Sequence, residues 1–251
     1  MRTDRLNEME QYILKHTSAS LEELARVFAV SLNTVRRDIQ ALLQRGLICK
    51  VYGGVAAVRQ AEPLPMSIRA ERHSTEKQLI GQLAAELIAD HTSVFLDSGS
   101  TTPQILPYLA EKKGITIVTH SLSAMYEASR CPNLNVINLG GVFNADTCSY
   151  VGISTADALS KISVQTVLIA ATGVSLEQGL TNTTYLEADI KRRVTEQASN
   201  IVLMADHSKF DHVALLSFCP FHRLSAVVTD RPPAGHYLDY MKEHNIRLLC
   251  P

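Results

Sequence analysis

Seven short apolar runs, separated by helical patterns, constrain the fold of this chain most strongly. The runs are rich in Val, Ile and Leu and span residues 93–97, 115–119, 135–139, 164–171, 201–205, 226–229 and 246–249. Helical patterns lie near residues 79–88, 104–111, 122–129, 155–160, 187–199 and 237–243. Apolar strands that alternate with helices are typical of a mainly parallel sheet with helices on both faces. The sequence therefore predicts an α/β domain over residues 73–251.

A different pattern precedes this domain, in residues 31–45. At helical spacing the apolar residues fall on one side, and they are Val35, Ile39, Leu42 and Leu43. Ser31 is suited to cap the helix at its N-terminus. A second amphipathic helix is predicted just upstream, over residues 21–28, and the connection between the two helices is the short segment Ala29-Val30. Two helices joined so closely predict a helix-turn-helix, whose second helix lies in the DNA major groove.

The residues around this pair extend the prediction to a winged helix-turn-helix over residues 1–58. Leu6, Met9, Ile13 and Leu14 predict a preceding helix. Residues 47–51 and 55–58 can form a β-hairpin wing around the turn Gly53-Gly54. Residues 59–72 are assigned to a linker because they contain Glu62-Pro63-Leu64-Pro65 and lack sustained periodicity.

The polar face of the second helix and the wing supply the candidate DNA contacts. These are Ser31, Asn33, Thr34, Arg36, Arg37, Gln40, Lys50, Tyr52 and Gly53. Between residues 36 and 59 five basic residues stand against one acidic residue, although the whole chain has a net charge of −1. A locally basic segment favours phosphate contact. The alternative is an ordinary core helix with a solvated polar face.

Loops that follow the predicted strands carry glycines, hydroxyls and charges. Ligands of open α/β sheets bind in such loops, at the carboxyl ends of the strands. The candidate effector-binding residues are Asp97, Ser98, Gly99, Ser100, Thr101, Thr102, His120, Ser121, Gly140, Gly141, Thr172, Gly173, Glu187, Lys191 and Lys209. Lysines and free amides suit a phosphate, and carboxylates and hydroxyls suit a sugar.

Each of these features also has a purely structural alternative. The run of residues 97–102 could be a Ser/Thr-rich turn that caps a helix beginning at Pro103. Glu187 and Lys191 could form a surface ion pair, because they are four residues apart. Asp206 could cap a turn.

Composition excludes several classes of protein. The five cysteines are odd in number and contain no Cys-x-x-Cys pair, so neither disulfides nor a zinc site are predicted. The nine histidines show no metal-ligand spacing, and no cofactor fingerprint or catalytic residue is assigned. No apolar run approaches twenty residues, and no apolar signal segment follows Met1. We expect a cytoplasmic protein with no membrane partner.

Taken together, the motifs resemble those of the DeoR-type bacterial regulators of sugar operons. In the head they are Thr34-Val35-Arg36-Arg37-Asp38-Ile39 and Tyr52-Gly53-Gly54. In the body they include residues 95–102, Leu139-Gly140-Gly141, Val151-Gly152, Gly179-Leu180-Thr181 and residues 205–210. The resemblance implies a sensor domain similar in fold to ribose 5-phosphate isomerase and a phosphorylated sugar or sugar derivative as effector. The family often has Asn at His120, Asp at Thr172, Ser at His207 and His at Tyr52.

Two functions of different classes remain possible on this reasoning. The first is a repressor of a carbohydrate-metabolism operon, whose operator is released when the effector binds. One small head contacts little DNA, so a homo-oligomer is expected. The rival is a sugar-phosphate isomerase with a DNA-binding appendage, in which Glu187 would act as the base. A third possibility keeps the regulator but replaces the effector with an unphosphorylated sugar acid or polyol.

Overall fold

The computed structural model describes residues 2–16, 18–44, 48–51, 53–57 and 65–251. The chain divides into two compact units, Met1–Leu64 and Pro65–Pro251. They are called the head and the body below, and each is described by itself.

The head is a three-helix unit with a small sheet. Its elements are α1 (Arg2–His16), β1 (Ser18–Ser20), α2 (Leu21–Val27), α3 (Leu32–Gln44), β2 (Ile48–Val51) and β3 (Gly54–Ala57). Side chains from all three helices and from the strands form one apolar core, which includes Met9, Leu24, Val35, Leu42 and Val55. This arrangement confirms the predicted winged helix-turn-helix.

Strand β1 was not predicted, and it completes the sheet in the order β1-β3-β2. It pairs with the wing strand β3, which places the carbonyl of Ala19 against Gly54. A Cβ atom at Gly54 would lie 2.3 Å from that carbonyl oxygen, so only glycine fits there. Ser20, which ends β1, then caps α2 through a reciprocal bond with Glu23.

The body contains further helices and strands in an alternating order. Its helices are α4 (Met66–Glu71), α5 (Ser74–Ala85), α6 (Leu122–Ala128), α7 (Ile153–Leu159), α8 (Tyr185–Gln197) and α9 (Gly235–Glu243), with 3-10 helices at Thr102–Leu109, His207–Lys209 and Phe221–Arg223. Its strands are β4 (Ser93–Leu96), β5 (Thr116–Thr119), β6 (Asn135–Asn138), β7 (Val142–Asn144), β8 (Ser149–Val151), β9 (Thr166–Ile169), β10 (Gly173–Ser175), β11 (Gly179–Asn182), β12 (Ile201–Met204), β13 (Leu216–Cys219), β14 (Ala226–Val228) and β15 (Arg247–Leu249).

A seven-stranded sheet forms the centre of the body, in the order β15-β14-β12-β9-β4-β5-β6. Every neighbouring pair in it is parallel. All seven strands are those predicted from the apolar runs, so the predicted mainly parallel α/β domain is confirmed. Alternate residues point to opposite faces, as Phe95 packs with one core and Val94 and Leu96 with the other.

Different elements cover the two faces of this sheet. On one face α5, α6 and the 3-10 helix Thr102–Leu109 supply the core. On the other face α7, α8 and α9 pack together with a second, antiparallel sheet in the order β10-β11-β13. Both this small sheet and the β7-β8 hairpin were missed in the sequence, because their strands are short and rich in Gly, Ser, Thr and Asn.

The segment predicted to be a linker, residues 59–72, is partly helical. Within it, Met66–Glu71 form the short helix α4. None of the helices in the described ranges combines the length and the apolarity needed to cross a bilayer.

Candidate functional sites

The second helix of the helix-turn-helix, α3, presents a polar face to solvent. The Ser31 hydroxyl accepts a hydrogen bond from the amide of Thr34 at 3.2 Å, which confirms the predicted cap. Val35, Ile39 and Leu42 are buried. The exposed or half-exposed candidates on the other side are Ser31, Asn33, Thr34, Arg36, Arg37 and Gln40. The apolar face of α3 therefore packs in the core of the head, and its polar face is exposed to solvent.

The acidic residue of this helix does not lie on the exposed face. Asp38 is fully buried, and the guanidinium of Arg5 binds its carboxylate with distances of 2.9 Å and 2.8 Å. This pair joins α1 to α3 across the head. Because the carboxylate is buried and paired, it offers little repulsion to a DNA phosphate approaching Arg36 and Arg37.

The wing supplies two more of the predicted contacts. Lys50 on β2 is exposed. Gly53 is also exposed and adopts a φ of 78°, which favours glycine at the tip of the turn. Tyr52 lies outside the described residues.

The body has its strand order reversed at one point, between β4 and β9. The chain runs from β4 outward through β5 to β6, and then returns to β9 on the other side of β4. Open α/β sheets form a crevice at such a switch point, at the carboxyl ends of the strands. Asp97 follows β4 at this position, and its carboxylate accepts a 3.0 Å hydrogen bond from the amide of Ala170 after β9.

Asp97 is the centre of a buried polar group. The ammonium of Lys191, from α8, bonds both the Asp97 carboxylate and the carbonyl oxygen of Ala170. The second carboxylate oxygen of Asp97 faces Nε2 of His120 at 3.6 Å, and neither atom has a closer hydrogen-bond partner in the described part of the chain. Nδ1 of His120 lies 2.9 Å from the Tyr150 carbonyl and donates to it, because a carbonyl only accepts.

The charge on Asp97 is maintained by these neighbours. Burial alone would raise the pKa of Asp97, but the Lys191 ammonium and the His120 ring outweigh it. The pKa of Asp97 therefore lies well below its ordinary value. The alternative prediction of a surface ion pair between Glu187 and Lys191 is wrong, since both side chains are buried and Lys191 pairs with Asp97.

Glu187 is held on every side by hydrogen-bond donors. Oε1 accepts from the hydroxyls of Ser98 at 2.9 Å and Ser149 at 3.3 Å. Oε2 accepts from the Asn182 amide at 3.3 Å and the Thr184 hydroxyl at 3.2 Å. Ser98 follows Asp97 directly, and Glu187 lies one helical turn before Lys191 on α8, so the two bonded groups are neighbours in the chain. Asp97, His120, Lys191, Ser98 and Glu187 are called the Asp97 cluster below. An aldose–ketose isomerase needs a carboxylate free to take a proton, and Glu187 is fully engaged.

The loop after β4 is tightly packed. The hydroxyl of Thr102 donates to the carbonyl oxygen of Asp97 at 2.7 Å. Ser98, Gly99, Thr101 and Thr102 are buried and Ser100 is half-buried. A Cβ atom at Gly99 would lie 2.5 Å from Cβ of Ala170, so a larger residue there displaces the loop itself. Pro103 lies in the first turn of the 3-10 helix, as predicted.

Other predicted site residues have local structural roles. Ser121 caps α6 by accepting from the amide of Ala124 at 3.1 Å. Gly140 and Gly141 form a turn against Thr155, whose hydroxyl donates to the Gly140 carbonyl at 2.7 Å. The Thr172 hydroxyl donates to Asn182 at 3.0 Å, and Gly173 begins β10. No hydrogen bond within the described residues joins Gly140 or Gly141 to the Asp97 cluster.

Lys209 belongs to a second, basic group. It follows β12 and is half-buried beside Asp206, whose side chain accepts from the amide of Ser208 at 3.0 Å, as the predicted turn cap requires. Arg69 and Arg72 lie close enough to influence its charge, as they do that of Lys77 on the first turn of α5. Lys209, Asp206, Lys77, Arg69 and Arg72 are called the Lys209 cluster below.

Burial and neighbouring charges shift the pKa values of Lys209 and Asp206 in opposite directions. Burial lowers the pKa of Lys209, and the carboxylate of Asp206 opposes this effect. Burial alone would raise the pKa of Asp206, but the Lys209 ammonium and the Ser208 hydroxyl hold it below its ordinary value. One oxygen of Asp206 is buried with no hydrogen-bond partner in the described residues.

Arg69 and Arg72 fall in the segment predicted to be a linker, and Lys77 is not among the predicted site residues. The ammonium of Lys77 donates to the carbonyl oxygens of Arg69 and, at 2.6 Å, of Arg72. These bonds fold the end of α4 back onto α5. The basic residues at positions 69, 72 and 77 could have suggested an anion-binding group. Nothing in the sequence indicated that they lie near the loop of Asp206 and Lys209, more than a hundred residues later.

Lys77 should make stability depend on pH. Burial lowers the pKa of Lys77 to about 8, whereas an unfolded lysine titrates near about 10.4. Between these values the unfolded chain binds more protons, so the free energy of unfolding should rise with pH from about 8 to about 10. Urea denaturation of wild type and Lys77→Met across this range measures the effect. The variant should lose this rise, whereas a change at exposed Lys113 (Lys113→Met) should keep it.

Comparison with known protein families covers both units. A model described as the DeoR-like helix-turn-helix domain matches residues 5–61. A model described as the DeoR C terminal sensor domain matches residues 72–231. The two matches follow in the same order as the head and the body.

Curated relatives match over nearly the whole chain. The HTH-type transcriptional regulator IolR of Bacillus subtilis (strain 168) is 44% identical over 246 residues, which cover 98% of this chain and 98% of that protein. The glycerol-3-phosphate regulon repressor of Escherichia coli (strain K12) is 28% identical over 249 residues, or 99% of each chain. Both relatives are named as regulators of transcription and not as enzymes.

Solved structures show a weaker likeness to this chain. Ribose 5-phosphate isomerase A from Methanocaldococcus jannaschii is 16% identical, covers 55% of each chain and superposes with a TM-score of 0.41. A likeness of this strength assigns no function. The two family matches and the 44% identity to IolR do, and this chain belongs to the DeoR family of transcriptional regulators, with a DNA-binding head and a sensor body.

Proposed function

We propose that this protein represses a carbohydrate-metabolism operon and releases the operator when a phosphorylated sugar or sugar derivative binds the body. The observation that carries the proposal is the Lys209 cluster, in which Lys77 and Lys209 interact with the Asp206 carboxylate and Arg69 and Arg72 lie near both lysines. Arg69, Arg72 and Lys209 are half-buried, and converging cationic side chains suit a phosphate. Asn33, Thr34, Arg37 and their neighbours on α3 would contact the operator.

The neighbouring Asp97 cluster suits the rest of such a ligand. Strands β12, β9 and β4 are adjacent, so the loops carrying Lys209 and Asp97 lie two strand spacings apart, or about 10 Å. This separation matches the length of a sugar phosphate. Hydroxyls and amides at Ser98, Thr172 and Asn182 are of the kind that bind sugar hydroxyls.

The names of the relatives support the same assignment. One relative is the glycerol-3-phosphate regulon repressor, and another is the HTH-type transcriptional repressor GlcR of Bacillus subtilis. The mechanism is linkage: the ligand must prefer the state of the protein that binds the operator poorly. We propose that the protein acts as a homo-oligomer in the cytoplasm, because one small head buries limited surface on DNA.

A gel-shift titration tests this function. The probe is the promoter region beside the protein's own gene, and the additions are sugar phosphates and their unphosphorylated parents at fixed salt. Release by a phosphorylated compound but not by its parent is the expected result. Release by the parent or by a sugar acid would overturn the phosphate assignment, and absence of any DNA binding would overturn the proposed regulator.

Lys209→Ala should separate the two activities. The variant should bind operator as the wild type does, because Lys209 is in the body. A charge-assisted bond contributes about 1.5–3 kcal/mol, so release should require roughly 10- to 150-fold more effector. The control is Lys161→Ala, which removes an exposed lysine of the same unit. An unchanged effector concentration for Lys209→Ala would place the phosphate elsewhere.

A further inference from the structure

The strand β6 lies at one edge of the seven-stranded sheet, and no other strand of the described residues pairs with its outer side. The amides of Asn135 and Leu139 donate to the carbonyls of Ile115 and Thr119 at 3.0 Å, and Ile137 continues this ladder to β5. In a parallel ladder alternate residues bond the same neighbour. The backbone N–H and C=O groups of Val136 and Asn138 therefore point away from β5, and no hydrogen bond within the described residues satisfies them.

This open edge lacks the usual protection. Exposed edge strands are normally guarded by charged side chains or by proline, which prevent pairing with another chain. The opposite edge, β15, has exposed Arg247 and is followed by Pro251. In contrast, β6 reads Asn-Val-Ile-Asn, without charge or proline, and the side chains of Val136 and Ile137 are 39% and 43% exposed. Two exposed apolar side chains on an unguarded edge indicate that another strand covers it.

We infer that β6 is an interface between two copies of this chain, which pair antiparallel across a two-fold axis. Val136 and Asn138 carry the outward backbone groups and lie on either side of Ile137, so a two-fold axis at Ile137 lets the strand pair with its own copy. With the axis at Ile137, the outward groups of Val136 face those of Asn138 in the second copy, and Ile137 meets its own equivalent. The contact joins two seven-stranded sheets into one continuous sheet.

Charge favours a second copy over another partner. A residue on a two-fold axis meets its own equivalent, so a charge at or next to the axis would lie near an identical charge. Residues 135–138 carry no charge. A two-fold protein also matches the symmetry of paired operator half-sites. The inference rests on the proposed homo-oligomer and names the surface that forms it.

Two variants of the full chain test the interface by different means. Ile137→Asp places a carboxylate at the axis, opposite its own copy. Val136→Pro removes one outward N–H but none of the bonds to β5, and proline is tolerated at such edge positions. Sedimentation equilibrium at micromolar concentration should give an oligomer for wild type and half its mass for each variant. Circular dichroism should remain that of the folded wild type, and Val136→Pro keeps the test decisive if the charged variant fails to fold.

The matched control is Leu215→Asp, which changes another apolar side chain, 79% exposed, in the loop before β13. Its mass should equal that of wild type. Folded edge variants with the wild-type mass would overturn the β6 interface and leave the homo-oligomer standing. A monomeric wild type would overturn both, while the release of operator by effector in the gel-shift titration would still be judged separately.

Discussion

Replacing Arg37 with alanine should weaken operator binding by roughly 30-fold to 25,000-fold, because a good arginine–base contact contributes about 1–3 kcal/mol and two heads lose it together. Arg37 is exposed on α3, while Val35 and Ile39 fix the orientation of the helix from the buried side. The Arg5–Asp38 pair removes the nearest carboxylate from competition for the guanidinium. Gel-shift titration of operator at fixed salt measures the loss.

The matched control is Arg193→Ala, which removes an arginine of α8 in the body that pairs with Asp189. It should bind operator as the wild type does, and both variants should bind effector normally. A scrambled DNA of the same length distinguishes the kind of contact. If Arg37 touches only phosphate, binding to operator and to scrambled DNA should fall equally, and its assignment to base edges would be wrong.

Lys191→Met should lower the free energy of unfolding by about 3–5 kcal/mol, since it leaves a buried carboxylate without its cation. Methionine preserves most of the side-chain volume, so the loss reports charge rather than a cavity. The Ala170 carbonyl also loses its donor. Urea denaturation at pH 7 measures the change, and Lys161→Met at an exposed position is the control.

A second variant separates charge from packing in this pair. Asp97→Asn combined with Lys191→Met removes both charges and should recover much of the lost stability. Because the pKa of Asp97 is lowered in the folded protein, its contribution is present above about pH 4 and declines as the pH falls. The defect of Lys191→Met should therefore shrink in acid. A single variant that unfolds at the wild-type urea concentration would contradict this account of the Asp97 cluster.

The inner strands of the central sheet were predictable because burial on both faces leaves a clear pattern. Every strand of the sheet contains consecutive apolar residues, and each end of a predicted run lies within two residues of the end of the strand in the structure. The antiparallel strands β10, β11 and β13 were not predictable in this way. Gly179–Asn182, for example, has Leu180 as its one large apolar residue, and its position depends on pairing with Leu216–Cys219 far along the chain.

The candidate site was predictable only where residues follow strands. Asp97, His120 and Lys191 were expected together, and the structure joins them. Arg69, Arg72 and Lys77 precede the first strand of the body, so no rule about strand ends points to them. Their proximity to Lys209 depends on how α4 folds back onto α5, through carbonyls that accept from Lys77.

The four donors around Glu187 have a consequence for signalling. The four hydrogen bonds that Glu187 accepts occupy the lone-pair sites of its carboxylate, which lowers its basicity toward a ligand. Under the proposed function, a regulator built in this way would return its effector to solution unchanged. Occupancy of the operator would then report the standing concentration of the metabolite, and the act of sensing would not consume the signal.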